Sequence, residues 1–286
     1  MAARWQLSDR TLEFDRPIGV GIVNVTSDSF FEGARSETPE RAIRDALELI
    51  DRGFEMIDVG TVTARIGPAV DVEEEAGRLI PAIEGLVEST KVPVSADTFS
   101  PEVARRAVEA GAVAINDIGG GEPAMLELVA ETGCGLVLMH IEGRPRQKRE
   151  PPHYDDPVDH LRRWFSERIE AAVGRGVAQD QIAIDPGLDF DLGIRDDLEI
   201  MRRLSELKGL GRALYVSLSR KDFLGAVIAG SWEERLPATE REWATCAAAA
   251  LAVGGGADLL RLHDASALQS LQVAASIEAE RGAHVG

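Results

Sequence analysis

Eight short apolar runs recur along this chain, and a helix-like segment follows each one. They cover residues 18–25, 56–60, 92–97, 112–118, 135–141, 182–188, 213–218 and 259–263. Within each run the apolar side chains follow one another, without the alternation of a strand that has one wet face. Such runs suit strands buried on both sides, as in a parallel sheet. Between them, Thr38-Pro-Glu-Arg-Ala and Ser100-Pro-Glu-Val-Ala each open a helix with a hydroxyl N-cap and a proline in the first turn. Segments 71–88, 122–132, 157–174, 195–207, 238–253 and 265–281 are amphipathic and fill the remaining gaps.

Eight strand–helix pairs in about 250 residues is the arithmetic of a (β/α)8 TIM barrel. The rival, a doubly wound open sheet, places a Gly-rich phosphate loop after its first strand, and none follows residue 25. Gly119-Gly-Gly121 lacks the required spacing and reads as a tight turn. Residues 5–7 and 11–14 are placed to form a short N-terminal β-hairpin closing the barrel's bottom. With no linker or low-complexity tract, residues 1–286 are expected to form a single domain. The irregular, Arg- and Pro-rich stretch 143–156 reads as a lid loop after the fifth run.

Composition excludes several classes of function. The net charge of −18 disfavours nucleic acid and anionic membrane surfaces as partners. No apolar run approaches about 18 residues, so no membrane-spanning helix is expected. The first 14 residues lack a signal-peptide core, and a cytoplasmic location is expected. Cys134 and Cys246 sit in small, apolar surroundings and read as buried thiols.

Active sites of such barrels lie at the C-terminal ends of the strands. Those ends carry Asn24, Asp58, Asp97, Asn116 with Asp117, His140, Asp185, Ser219-Arg-Lys221, and Arg261 with His263. Taken singly, most have a structural explanation: Asn116 and Asp117 as turn caps, Asp185 as a turn initiator before Pro186-Gly187, His140 as a core histidine. Taken together, they are expected to face one cavity. Asp97, Asn116 and Asp185 suit a ligand with N–H donors, because a carboxylate accepts two parallel bonds from a guanidine-like edge. Lys221, Arg261 and His263 come from the quadrant of strands seven and eight that commonly holds phosphate.

In these motifs the chain resembles the pterin-binding barrel family, and within it the dihydropteroate synthases, over about residues 18–280. The matching motifs are Asn24-Val-Thr-Ser-Asp-Ser-Phe30, Ser95-Ala-Asp-Thr98, Ile115-Asn-Asp117, Leu138-Met-His140, Ile184-Asp-Pro-Gly187, Leu218-Ser-Arg-Lys221 and Arg261-Leu-His263, in the family's order. The resemblance implies condensation of 7,8-dihydropterin-6-ylmethyl diphosphate with p-aminobenzoate, giving 7,8-dihydropteroate and pyrophosphate for folate biosynthesis. It implies that Asp97, Asn116, Asp185 and Lys221 hold the pterin, that Arg65, Arg261 and His263 contact the diphosphate, and that Asn24 contacts Mg2+. Asp97, Lys221 and Arg65 are the candidate catalytic residues. A homodimer is implied as well.

The departures from the family pattern gather on the arylamine side. The first loop reads Thr26-Ser-Asp-Ser-Phe-Phe-Glu-Gly-Ala34 where the family usually has Thr-Pro-Asp-Ser-Phe-Ser-Asp-Gly-Gly. The second reads Thr61-Val-Thr-Ala-Arg-Ile-Gly67 where Gly-Glu-Ser-Thr-Arg-Pro-Gly is usual, so Arg65 alone persists at its centre. Asp222 follows Lys221 where many members carry Ser or Arg. Facing a benzoate carboxylate at about 4 Å, Asp222 would repel it by roughly 4 kcal/mol at an effective dielectric near 20. Turned away, it would favour the N-terminus of the next helix. These departures leave open a paralogue that gives the same pterin to another arylamine, and a pterin- or folate-binding protein without synthase activity.

Overall fold

A computed structural model of the chain describes residues 3–25, 38–62, 67, 70–147 and 152–283. Two antiparallel strands open it, β1 (Ala3–Gln6) and β2 (Thr11–Phe14). Eight parallel strands then close a barrel: β3 (Ile18–Asn24), β4 (Met56–Gly60), β5 (Val94–Asp97), β6 (Ala114–Asp117), β7 (Gly135–Met139), β8 (Ile182–Asp185), β9 (Ala213–Ser217) and β10 (Leu259–Leu262). They pair in chain order, and β10 closes on β3. The expected TIM barrel with an N-terminal hairpin is therefore the fold, each strand lying within its apolar run.

The helices are α1 (Pro39–Asp51), α2 (Val72–Ser89), α3 (Pro101–Glu109), α4 (Pro123–Thr132), α5 (Pro157–Gly174), α6 (Ile194–Arg202), α7 (Asp222–Ala229), α8 (Glu242–Gly254) and α9 (Ala265–Ala283). Thr38, Asp71 and Ser100 cap α1, α2 and α3, each side chain accepting a backbone N–H of the first turn. Two expected helices are shorter than their patterns. Segment 195–207 breaks after Arg202 into 3-10 turns over Leu204–Leu210, and segment 238–253 starts its α-helix only at Glu242. The eight-residue α7 is too short for its period to stand out. No helix among the described residues is long and apolar enough to cross a membrane. Cys134 and Cys246 are buried free thiols, as expected.

The hairpin plugs the barrel's lower end. Trp5 and Leu7 are fully buried among Val20, Met56, Val137, Ala183 and Leu259. The Trp5 indole N–H donates to the Gln181 carbonyl at 2.8 Å. Gly135 gives the ring its room, since a Cβ there would come within 2.8 Å of Leu7 and 3.1 Å of Trp5. At the other end, strand register sets Asn24, Gly60, Asp97 and Asn116 side by side in one row.

Trp5→Ala should cost about 3–5 kcal/mol, the range for emptying a buried aromatic site. Urea unfolding measures it, and a loss under about 1 kcal/mol would mean that the hairpin does not seal the barrel.

Candidate active site

One cation organises the strand ends. Arg261, on β10, donates from Nε to Asp58 Oδ2 at 2.6 Å and from Nη2 to Asp97 Oδ2 at 2.7 Å. Asp58, on β4, is fully buried and also accepts from Ser95 Oγ (2.5 Å) and Asn116 Nδ2 (3.0 Å). Gly60 makes room for Asp97, whose carboxylate lies 3.3 Å from where a Cβ at residue 60 would stand. Burial raises the Asp97 pKa to about 7 against the pull of Arg261, and repulsion from Asp58 and Glu75 adds to the rise. Arg261 shifts upward instead: burial opposes its charge, and Asp58, Asp97 and Tyr215 outweigh that opposition. Asp97 Oδ1 is buried and has no hydrogen-bond partner among the described residues. A bare carboxylate oxygen in such a place is an open acceptor for a ligand's N–H.

Asp185 ends β8. Its Oδ1 accepts the Gly187 amide at 2.9 Å and its Oδ2 the Ser217 hydroxyl at 2.6 Å. Burial raises its pKa, and those two bonds hold the rise back. Lys221 Nζ donates to the Leu188 carbonyl at 2.7 Å and stands 4.5 Å from the centre of the Phe190 ring. Tyr215 rises from the barrel floor beneath this group, with a buried hydroxyl that has no hydrogen-bond partner among the described residues.

Arg220 and His263 form the other flank. Arg220 has a left-handed backbone (φ 59°), uncommon for a residue with a side chain, and makes a two-point contact with Asp264 at 2.9 and 3.1 Å. Ser219 Oγ accepts the His263 backbone N–H at 3.2 Å and lies 2.9 Å from His263 Nδ1. Burial, with Arg220, Arg261 and Lys221 nearby, lowers the His263 pKa to about 3. His263 is therefore neutral, and with the Ser219 hydroxyl donating to Nδ1 the ring proton would stand on Nε2. It offers an anion a donor without a charge.

Asp222 is held away from the strand-end row. Its carboxylate pairs with Arg241, itself almost fully buried, and lies 3.4 Å from Arg235. The N-terminus of α7 is capped by Asp189, which accepts the amides of Asp222 and Phe223.

The structure thus sets Asp97 beside Asn116 in register, joins Arg261 to Asp97, and places Asp185 and Lys221 across the same barrel end. Two strand-end residues do not join them, so the expectation that all share one cavity fails. Asp117 spends its carboxylate on the amides of Gly119 and Gly121, at 2.7 and 2.8 Å, in the expected tight turn. His140 is fully buried against Trp164 of α5. Arg65, residues 26–37 and most of the second loop lie outside the described residues. Ser95, Ser217 and Tyr215 were missed as site residues. Their one signal is position: Ser95 is two residues before Asp97, and alternate residues of a strand share a face.

A protein-family model described as "Pterin binding enzyme" matches residues 20–263. The dihydropteroate synthase of Synechocystis is 36% identical over 255 residues, covering 88% of this chain and 86% of its own. A Mycobacterium leprae protein named inactive dihydropteroate synthase 2 is 38% identical over 283 residues, covering 96% of this chain and 95% of its own. The solved structure of Xanthomonas albilineans dihydropteroate synthase with 4-aminobenzoic acid superposes with a TM-score of 0.87 at 39% identity, covering 98% of this chain and 99% of its own.

The Asp97 carboxyl has a pH signature. Its folded pKa of about 7 lies above the unfolded value of 3.8, so the unfolded chain ionises first. The stability tied to its protonated form is complete below the unfolded value and is lost as pH rises through the folded one. From about pH 4 to 7 the wild type should therefore lose stability relative to Asp97→Asn in parallel urea titrations. A difference independent of pH would contradict the shift.

Proposed function

The chain belongs to the family of pterin-binding enzymes, and we propose that it is a dihydropteroate synthase, condensing 7,8-dihydropterin-6-ylmethyl diphosphate with p-aminobenzoate to 7,8-dihydropteroate and pyrophosphate. The observation that carries this reading is the open Asp97 carboxylate oxygen, set in register with Asn116 and near enough to Lys221 to feel its charge. In this reading Asp97 and Asp185 accept the N–H groups of the pterin's guanidine-like edge, with Asn116 beside them, and Lys221 donates to a ring acceptor. His263 Nε2–H and Arg261 meet the diphosphate, together with Arg65 from the second loop. Arg261 keeps Nη1 for this, since Nε and Nη2 are taken by Asp58 and Asp97.

The residues suit departure of the diphosphate before the amine attacks. The methylene C–O bond breaks and its electron pair leaves with the diphosphate. Positive charge spreads into the pterin, where the ionised Asp97 stabilises it in a site with little water. The amine lone pair then forms the C–N bond, and the proton it sheds balances the released pyrophosphate. No side-chain nucleophile is required. Ser219 and His263 do touch, but Asp264 is engaged by Arg220 and does not orient the imidazole as a base for Ser219.

Asn24 fits a Mg2+ contact. Its side chain stands at the tip of β3, half-buried and with no hydrogen bond among the described residues, and an amide oxygen is a hard donor. Mg2+ takes few protein ligands and completes its shell with water and phosphate oxygens. Bound there, it would neutralise charge on the leaving diphosphate. A cytoplasmic homodimer completes the reading. It is supported by Trp243 and Leu251 on α8 and Val273 and Ile277 on α9, large apolar side chains that are exposed on adjoining helices.

The resemblance to the inactive Mycobacterium leprae protein, over more of the chain than the Synechocystis enzyme covers, favours a second reading. In it, the barrel binds the pterin without making dihydropteroate. Purified protein given the pterin diphosphate, p-aminobenzoate and Mg2+ separates the two. Release of pyrophosphate matched by dihydropteroate supports the synthase. Pterin binding with no pyrophosphate release supports the second reading, and pyrophosphate release that needs a different arylamine would point to a paralogue with another acceptor.

Because Arg241 and Arg235 hold Asp222, Asp222→Ser should leave the KM for p-aminobenzoate within about twofold of wild type. A fall in KM of tenfold or more, about 1.4 kcal/mol, would mean that Asp222 faces the arylamine.

A further inference from the structure

Away from the strand-end row, His140, Glu142 and His160 each bring one ligand atom within 4.8 Å of the others. His140 follows β7, Glu142 lies two residues on, and His160 stands on the first turn of α5. Glu142 Oε1 lies 3.4 Å from His140 Nε2 and 2.7 Å from His160 Nε2. Both ring nitrogens of His140 are buried and lack a hydrogen-bond partner among the described residues. His160 Nε2 is also buried, and its approach to Glu142 lacks hydrogen-bond geometry. Buried polar atoms without partners are costly, so imidazole nitrogens left in this state while converging on one carboxylate call for a common partner.

Both rings pack against aromatic side chains. Trp164 meets His140 edge-on at 5.0 Å, and the Tyr154 ring lies 4.5 Å from that of His160. The Glu142 backbone N–H is fixed to Asp191 Oδ2 at 3.0 Å. Bonds of about 2.0–2.2 Å at a tetrahedral ion set ligand atoms roughly 3.3–3.5 Å apart. The His140–Glu142 distance already fits, and His160, with 27% of its side chain exposed, has the freedom to withdraw to that spacing.

We propose that His140 Nε2, Glu142 Oε1 and His160 Nε2 form a three-ligand site for a divalent transition ion of the zinc class, with water in the fourth position. Two imidazoles with one carboxylate suit Zn2+ or Co2+, whereas Mg2+ prefers an all-oxygen shell. The ion would fasten the end of β7 to α5, joining the chain on either side of residues 143–156. The site is independent of the synthase reading, since none of its ligands belongs to the proposed pterin or diphosphate set.

Full-length protein stripped with a chelator and titrated with Co2+ tests it. One equivalent should bind with the visible absorption of tetrahedral Co2+, be displaced by Zn2+ and be unaffected by Mg2+. Glu142→Gln and His160→Gln should each weaken Co2+ binding by about tenfold or more, and Zn2+ should raise the Tm of the wild type but not of His160→Gln. His153→Ala, which removes an exposed histidine nearby, should bind as the wild type does. Absence of a saturable Co2+ signal, retention of wild-type affinity by both Gln variants, or its loss in His153→Ala would overturn the proposal.

Discussion

The upper barrel depends on one guanidinium shared by two carboxylates. Arg261 reaches across the barrel mouth to Asp58 and Asp97, and Ser95 and Asn116 bond the same Asp58 carboxylate. Without the cation, two acids would stand in a site where an uncompensated charge costs several kcal/mol. With it, Asp58 is saturated by Ser95, Asn116 and Arg261, while Asp97 keeps one oxygen open. The same interaction stabilises the barrel mouth and prepares an acceptor for a ligand.

The fold was legible because burial on both faces leaves a strong mark. Each of the eight runs became a strand, and the Thr38 and Ser100 caps sit where their sequences placed them. The site was only partly legible. Asn116 and Asp117 are adjacent, and adjacent strand residues face opposite sides. The two could not serve one cavity: Asn116 bonds Asp58, and Asp117 binds the glycine turn. By the same rule Arg261 and His263, two apart, share a side. The partners of Asp222 were not legible at all. Arg235 and Arg241 arrive from 13 and 19 residues downstream, beyond α7, and only the folded chain brings them to it.

Backbone shape supports the same end of the barrel. Asp189 (φ 68°) and Arg220 (φ 59°) both occupy the left-handed region, which costs a side-chain-bearing residue energy that its surroundings must supply. Asp189 recovers it by capping α7, and Arg220 by its contact with Asp264. In the proposed function these fixed points keep Lys221, which lies between Arg220 and α7, aimed toward the pterin.

The most direct test of this arrangement is proton linkage. If the open Asp97 oxygen accepts the pterin's N–H groups, binding favours the ionised carboxyl. Near pH 6, below its pKa of about 7 in the free protein, Asp97 must then give up a proton when the pterin binds. Calorimetry of pterin binding in two buffers of different ionisation enthalpy measures that proton. The wild type should release a substantial fraction of one proton and Asp97→Asn none; equal binding heats in both buffers for the wild type would contradict the open-acceptor role of Asp97.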